Sequence, residues 1–119
     1  MEKVRSTNWC LVLYQDDVTH VKALEIIKEK YNYACILHDK DMNSNNELKK
    51  AHYHVVLYTG RNAKWNTSIA NDLGIEVNYL QQCKNRDKAL EYLIHFNDSS
   101  KYQYNINDVQ GDMKTRLKL

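Results

Sequence analysis

The sequence contains no proline and no internal repeat, which excludes a proline-rich linker and a repeat architecture. It also lacks an apolar stretch near the length of a membrane span, and its start is not the charged-then-apolar pattern of a secretory signal. We therefore expect no membrane association and a cytoplasmic location. With 119 residues, the chain has the length of one domain, which buries roughly two thirds of its unfolded surface.

Cysteine is scarce and odd in number. Cys10, Cys35 and Cys83 are widely spaced and lie in or beside apolar runs, and none forms a paired-cysteine metal motif. This pattern is typical of reduced core cysteines in a cytosolic protein, so the fold is predicted to need no disulfide.

The net charge of +2 is too small to indicate nucleic-acid binding by itself. The basic residues nevertheless concentrate in a polar loop at 39–51 and just before a predicted helix at 89–95. From these two groups we assign contacts with a DNA backbone to Lys50, Lys84 and Arg86. Trp65, Tyr53, Tyr58 and the remaining tyrosines offer flat surfaces on which unpaired bases could stack. The alternative is that most of these lysines are simply solvated and most of the aromatic rings lie in the core.

The periodicity of apolar residues predicts seven main elements. Strands are predicted at 7–14, 33–38, 53–58 and 75–80, and helices at 18–31, 65–73 and 89–95. This β-α-β-β-α-β-α order is typical of an α+β fold in which helices pack on an antiparallel sheet, related to ferredoxin-like and RNA-recognition folds. No clear periodicity survives after Asn97, so we expect a domain spanning 1–104 and a loosely packed tail over 105–119.

Two short clusters, with the sequences HDKD and HYH, end one predicted strand and open the next. Because side chains alternate along a strand, His52 and His54 should share one face. Together with His38 and Asp41, they would form a set of nitrogen and oxygen ligands without thiolate, which suits Mn²⁺, Mg²⁺, Co²⁺ or Ni²⁺ better than a structural zinc site. A histidine pair on a strand is weak evidence when taken alone. His20, which lies outside these clusters, is predicted on a helix surface and is assigned no role.

The helix predicted at 89–95 places Tyr92 and His95 on one face with Lys88. A phenol beside a metal ion is a candidate nucleophile, and either neighbour could assist it, since the pKa of tyrosine is ordinarily about 10. Tyr102 and Tyr104 compete for this role. We favour Tyr92 because attack in line requires a rigid element, and the apolar helix supplies one.

These three blocks, in this order, resemble the HUH endonuclease domain of rolling-circle replication initiators, most of all the plasmid Rep proteins of small Gram-positive replicons. The resemblance runs from about Thr7 to Tyr104. It implies a nucleophilic Tyr92 and one divalent ion, Mn²⁺ or Mg²⁺, held by His38, Asp41, His52 and His54. Viral relatives usually carry lysine where this chain has His95, which favours the plasmid branch.

The resemblance further implies an enzyme that nicks and rejoins single-stranded or hairpin origin DNA through a 5′-phosphotyrosine intermediate. A host polymerase and a helicase are the further partners it implies. Two alternatives stay open at this stage: a non-enzymatic nucleic-acid-binding module of the same fold, and a single-tyrosine HUH transposase or viral initiator.

Overall fold

The computed structural model describes residues 3–117, which form an antiparallel sheet with helical elements packed on both faces. The strands are β1 (Arg5–Ser6), β2 (Asn8–Tyr14), β3 (Asn32–His38), β4 (His52–Tyr58), β5 (Lys64–Trp65) and β6 (Gln81–Gln82). The α-helices are α1 (Val18–Lys30), α2 (Asn66–Leu73) and α3 (Arg86–Leu93). Short 3₁₀ turns cover Val77–Tyr79, Ile106–Asp108 and Asp112–Arg116. Within residues 3–117, no helix is both long and apolar enough to span a membrane.

The main sheet has the strand order β3-β4-β2-β6, with every neighbouring pair antiparallel. Alternation along the strands divides its side chains between two cores. Leu11, Val55 and Cys35 face α1 and α2, whereas Ile36 and Val56 face α3 and the C-terminal segment. The α+β fold predicted from the sequence is confirmed, with β1 and β5 added as a small separate ribbon.

Local signals explain where the helices begin and end. The Asp17 carboxylate caps α1 by accepting hydrogen bonds from the backbone N–H groups of Thr19 and His20. Gly74 ends α2 with a φ of 71°, a left-handed conformation that favours glycine. The asparagine side chain of Asn85 caps α3 by accepting from the N–H of Lys88. This cap starts α3 three residues before the predicted position, and the helix ends at Leu93 instead of at residue 95.

The strand predicted at 75–80 is wrong. The chain forms a 3₁₀ turn at Val77–Tyr79 there, and its pairing with β2 is limited to Gln81–Gln82. Ile75 and Val77 still pack on the core beneath α1 and α2. A turn that packs on the core can therefore show the same alternation of apolar and polar residues as a half-buried strand, and this likeness explains the wrong prediction.

The prediction of a loosely packed tail is also wrong for its described part, 105–117. Val109, Met113 and Leu117 are buried in the core beneath α3. Gln110 bonds to Cys35 of β3 through both backbone groups, at 2.9 and 2.8 Å. The segment turns repeatedly as it crosses β3, so its buried residues follow no helical or strand period.

We predict that Gly111→Ala destabilises the fold more than Gly74→Ala does. Both glycines have positive φ, at 109° and 71°, so each alanine incurs a backbone cost of about 1–2 kcal/mol. A Cβ at residue 111 would also press into the Tyr33 carbonyl, whereas one at residue 74 meets open space. The loss at residue 111 should therefore total about 3 kcal/mol, measured by urea unfolding. Equal losses for the two variants would contradict the packing of this segment on β3.

Candidate active site

The end of β3 and the start of β4 bring three of the predicted metal ligands together. His38 is the register partner of His52, and Asp41 follows in the loop after β3. The Asp41 Oδ2 atom lies 3.2 Å from His38 Nδ1 and 3.6 Å from His52 Nε2. One ligand atom from each of these residues falls within 4.8 Å of the others, which is the spacing of groups that can share one metal ion.

Hydrogen bonds to backbone carbonyls set the direction of both imidazoles. His38 Nε2 lies 2.6 Å from the carbonyl of Leu93, and His52 Nδ1 lies 2.8 Å from that of Lys50. A carbonyl only accepts, so each of these nitrogens carries the proton in the neutral ring. In both rings, the nitrogen that faces Asp41 is then unprotonated and presents a lone pair. Two lone pairs and a carboxylate turned toward one point repel each other unless a cation lies between them, so this donor set fits a divalent metal ion.

Tyr104 supports this cluster, although sequence reasoning placed it only among the rival nucleophiles. Its ring stacks on His38 with centroids 4.4 Å apart, and its hydroxyl donates to Asp41 Oδ1 at 2.7 Å. Burial alone would raise the pKa of the Asp41 carboxyl. The hydrogen bond from Tyr104, together with the positive charge that His38 and the other nearby imidazoles carry when protonated, holds that pKa below its usual range instead, so Asp41 stays ionised.

His54 lies beside the cluster without joining its ligand atoms in the described structure. Its ring centroid is 5.4 Å from that of His38 and 5.7 Å from that of Tyr92. Burial, followed by the charges of His38 and the other nearby imidazoles, lowers the pKa of His54 to about 3. This ring is therefore neutral at physiological pH, and it contacts both His38 of the cluster and Tyr92 of α3.

Tyr92 points toward the imidazoles from the last turn of α3. Its ring centroid is 5.1 Å from that of His95. His95 lies beyond the end of the helix with a φ of 60°, so the reason given for the proximity, a shared helical face, is wrong. The His95 ring is buried instead against His38, with centroids 4.7 Å apart, and its Nδ1 bonds the Tyr102 carbonyl at 2.8 Å.

The cation on the Tyr92 hydroxyl is that of Lys101, not the predicted Lys88. The Lys101 ammonium donates to the Tyr92 oxygen. Lys88 is exposed, and its hydrogen bonds in the described structure are the backbone ones, to Asn85 and Asn97. Lys101 was missed because it follows a polar break of the chain, where no periodicity relates it to α3.

The three predicted DNA contacts fall in two places. The Lys50 ammonium lies at the margin of the cluster, 3.1 Å from Asp16 Oδ1 and 4.9 Å from the centroid of the Tyr14 ring. Arg86 instead lies over Tyr58, with 4.4 Å from its Cζ to the ring centroid. Tyr58 ends β4, so Arg86 and the exposed Lys84 lie about 20 Å along the strand from His52. Of the three residues, only Lys50 adjoins the cluster.

His20 is buried, contrary to the surface position predicted for it. Its Nδ1 accepts a hydrogen bond from the backbone N–H of Tyr14 at 2.9 Å, and its ring meets that of Tyr79 edge to face. His20 therefore has a structural role at the end of β2.

A cavity of about 120 Å³ adjoins the cluster, and Asp41 and His95 line it together with the lysines Lys40, Lys49 and Lys101. A shallower groove of about 370 Å³ runs over Val12, Tyr14, Lys49, Lys50 and His52. Positive charge thus borders the imidazole cluster on the side open to solvent, where an anionic ligand would approach.

The chain matches one known protein family over almost its whole length. Residues 1–117 match the family model described as the origin-binding domain of plasmid replication proteins. The chain belongs to this family. The match includes the HDKD and HYH clusters, α3 and the C-terminal segment that carries Lys101 and Tyr104.

Individual replication proteins also resemble the chain. It is 30% identical over 106 residues to "Replication protein RepB" of Lactiplantibacillus plantarum, covering 89% of this chain and 48% of that protein. It is 31% identical over 110 residues to a "Replication protein" of Staphylococcus aureus, covering 88% and 53% respectively. A "Replication protein" of Onion yellows phytoplasma is 31% identical over 116 residues, covering 83% of this chain and 30% of that protein. The chain thus spans about half the length of the first two relatives.

We predict that this origin-binding domain loses stability as the pH falls from about 6.5 to about 3. The unfolded chain protonates His54 near pH 6.5, whereas the folded state does so only near pH 3. Between these values the unfolded state binds more protons, so the free energy of unfolding decreases as the pH is lowered. His54→Gln should reduce the slope by up to about 1.4 kcal/mol per pH unit, the value for one proton. The measurement is urea unfolding with a chelator present. Identical slopes for the parent and the variant would contradict the low pKa.

Proposed function

We propose that this domain nicks and rejoins one strand of plasmid origin DNA, with Tyr92 as the nucleophile. The observation that carries the proposal is the position of the Tyr92 phenol. It lies beside His54 and His95, next to a cluster whose lone pairs turn toward one point, and its oxygen is bonded by Lys101. A nucleophile, a cationic partner and a metal-binding donor set are the components that phosphoryl transfer by a tyrosine requires.

In the proposed reaction, the Tyr92 oxygen attacks phosphorus and loses its proton. The bond from phosphorus to the 3′ oxygen breaks, and that oxygen leaves as a hydroxyl after taking up a proton. The product is a 5′-phosphotyrosine link, which keeps the diester and can be attacked later by a 3′-hydroxyl to rejoin the strand. The Lys101 ammonium stabilises the developing phenolate, both as nucleophile in cleavage and as leaving group in joining.

The proposed metal ligands are His38, Asp41 and His52, with His54 as the fourth. Mn²⁺ or Mg²⁺ at this point would supply Lewis-acid stabilisation of the non-bridging phosphate oxygens. Asp41 is held ionised and oriented by Tyr104, and the two imidazoles anchored to backbone carbonyls present their free nitrogens. These residues therefore need little reorganisation to bind an ion.

The lysines around the cavity support an approach of single-stranded DNA from that side. Lys40, Lys49 and Lys101 line the cavity, and Lys50 lies over Tyr14 in the adjoining groove. The phosphates of the DNA backbone would contact these lysines, and the scissile phosphate would lie at Tyr92. Lys84 and Arg86 would contact DNA only beyond this groove, at the far end of β4. A host polymerase that extends the freed 3′ end and a helicase that opens the duplex remain partners expected from the resemblance.

The alternative is an origin-binding module that does not cleave DNA, which the description of the family by itself would equally support. The two differ in one product. A denaturing gel separates a covalent protein–DNA adduct from a dissociable complex, and single-stranded oligonucleotides tiling the origin of the native replicon are the substrates.

We predict that the parent domain forms this adduct with Mn²⁺ and that Tyr92→Phe abolishes it. Removal of the phenolic oxygen leaves the ring packed against His54 and His95, so the variant should fold and bind metal like the parent. Tyr102→Phe, at an exposed ring, is the control and should still react. Tryptic mass spectrometry locates the nucleotide: its mass should fall on peptide 89–101, and its appearance on 102–114 would refute the assignment.

A second prediction concerns the metal. A chelator should stop adduct formation and Mn²⁺ should restore it, while His52→Ala should weaken Mn²⁺ binding at least about 10-fold by calorimetry. Tyr104→Phe removes the hydrogen bond to Asp41 and should weaken Mn²⁺ binding by about 10-fold, as is typical of groups that orient a ligand. Tyr102→Phe again serves as the control. A substitution of His20, a histidine outside the cluster, is not a suitable control because this residue is buried. Unchanged Mn²⁺ affinity in His52→Ala would remove this residue from the ligand set.

A third prediction separates the two lysines on either side of Tyr92. Lys101→Ala should lower the rate of adduct formation about 100-fold, as does the loss of one donor to a developing oxyanion. Lys88→Ala should change that rate less than about 2-fold, since Lys88 is exposed and its described contacts are backbone ones. Single-turnover rates with saturating oligonucleotide measure both effects. A larger loss of rate in Lys88→Ala than in Lys101→Ala would instead support Lys88, the lysine assigned from the sequence.

A further inference from the structure

Two of the three cysteines lie in contact with each other. Cys10 Sγ on β2 and Cys83 Sγ just after β6 are 2.7 Å apart, although 73 positions separate them in the chain. Both residues carry free thiols. The backbone is held at the same place, because the N–H of Cys83 donates to the Asn8 carbonyl at 3.1 Å. The two sulfurs thus face each other across a hydrogen-bonded strand pair.

The two thiols differ in their surroundings. Cys83 is 8% exposed, and Cys10 is partly buried on the same core. The hydrogen bond from Cys10, assisted by the guanidinium of Arg86, holds the pKa of the Cys83 thiol below its usual range. The Arg86 Nε is buried without a hydrogen-bond partner, and no ion pair among residues 3–117 includes Arg86. A thiol beside an arginine, with a second thiol in contact, is the arrangement of an oxidisable pair.

Cys35 provides an internal comparison. It is fully buried on the opposite core, beneath α1 and α2, and burial raises its pKa to about 11. The sequence predicted the same reduced core role for all three cysteines, and Cys35 alone has the surroundings of an inert one.

We propose that Cys10 and Cys83 form a reversible dithiol–disulfide site that reacts with peroxide. The Cys83 thiolate attacks one oxygen of hydrogen peroxide, becomes a sulfenic acid and releases hydroxide, which takes up a proton as water. The Cys10 thiol then attacks the Cys83 sulfur, loses its proton and displaces a second water. Both sulfurs are oxidised by one electron, the peroxide is reduced to two waters, and a thiol reductant reverses the reaction.

The location of the pair gives the bond a structural consequence. Cys83 lies three residues before α3, and Cys10 lies on the central strand β2. A disulfide would therefore fasten the start of the Tyr92 helix covalently to the sheet that carries the imidazoles. This inference does not depend on the nicking reaction, and its test requires neither DNA nor metal.

The test uses the purified chain, reduced, freed of reductant and treated with one equivalent of hydrogen peroxide. Remaining thiols are alkylated under denaturing conditions, and the non-reduced tryptic digest is analysed by mass spectrometry. The three cysteines fall on separate peptides, 6–22, 31–40 and 65–84. We expect peptides 6–22 and 65–84 to be joined with the loss of two hydrogens, peptide 31–40 to be alkylated, and dithiothreitol to separate the joined pair. The midpoint of thermal unfolding of the oxidised chain should rise by on the order of 10 °C, because the bond closes a long loop.

Matched serine variants complete the test. Cys35→Ser should form the bond like the parent, whereas Cys83→Ser should leave Cys10 fully alkylated. Alkylation of all three cysteines in the treated parent, a sulfinic acid at Cys83 with no linked peptide, or a disulfide that includes Cys35 would each overturn the proposal. Because the parent alone decides among these outcomes, a variant that fails to fold does not weaken the test.

Discussion

The arrangement of the candidate site depends on one hydrogen bond, between His38 Nε2 and the carbonyl of Leu93. His38 is the last residue of β3, and Leu93 is the last residue of α3. The bond therefore sets the position of the helix that carries Tyr92 relative to the strand that carries the cluster. It also fixes the protonated nitrogen of His38, and hence which nitrogen faces Asp41. One contact thus orients a proposed metal ligand and positions the proposed nucleophile.

Buried imidazoles are costly unless their polar atoms are satisfied. In this domain, three buried imidazoles are each satisfied by a hydrogen bond to a backbone carbonyl. His38 bonds that of Leu93, His52 that of Lys50, and His95 that of Tyr102. A carbonyl is a better anchor than a side chain, since it cannot rotate away. The rings are thereby held in one orientation before any ligand binds, which is the preorganisation that catalysis by electrostatics requires.

Much of this arrangement could be predicted from the sequence, because the parts involved are local. Alternation along β4 places His52 and His54 on the face opposite Val55, and the spacing of apolar residues predicts α1 and α2. The predictions failed where the chain has no period of its own. Lys101 and Tyr104 reach the site on a segment that is ordered by packing against β3 and α3, so nothing in their own neighbourhood indicated it. The prediction of a strand at 75–80 failed for the opposite reason. Packing against the core there requires apolar and polar residues to alternate, although the chain forms a 3₁₀ turn at Val77–Tyr79.

The pairing of Gln110 with Cys35 has a consequence for the behaviour of the molecule in solution. β3 is an outer strand of the sheet, and an outer strand exposes unpaired backbone groups to which another chain can add. The C-terminal segment crosses this edge, occupies both backbone groups of Cys35, and buries Val109 and Met113 beside it. Residues 105–117, which the sequence predicted as part of a loose tail, therefore cover the edge of β3 at Cys35, where another chain could otherwise add a strand. They follow directly on the segment that carries Lys101 and Tyr104, so one continuous piece of backbone both covers this edge and completes the candidate site.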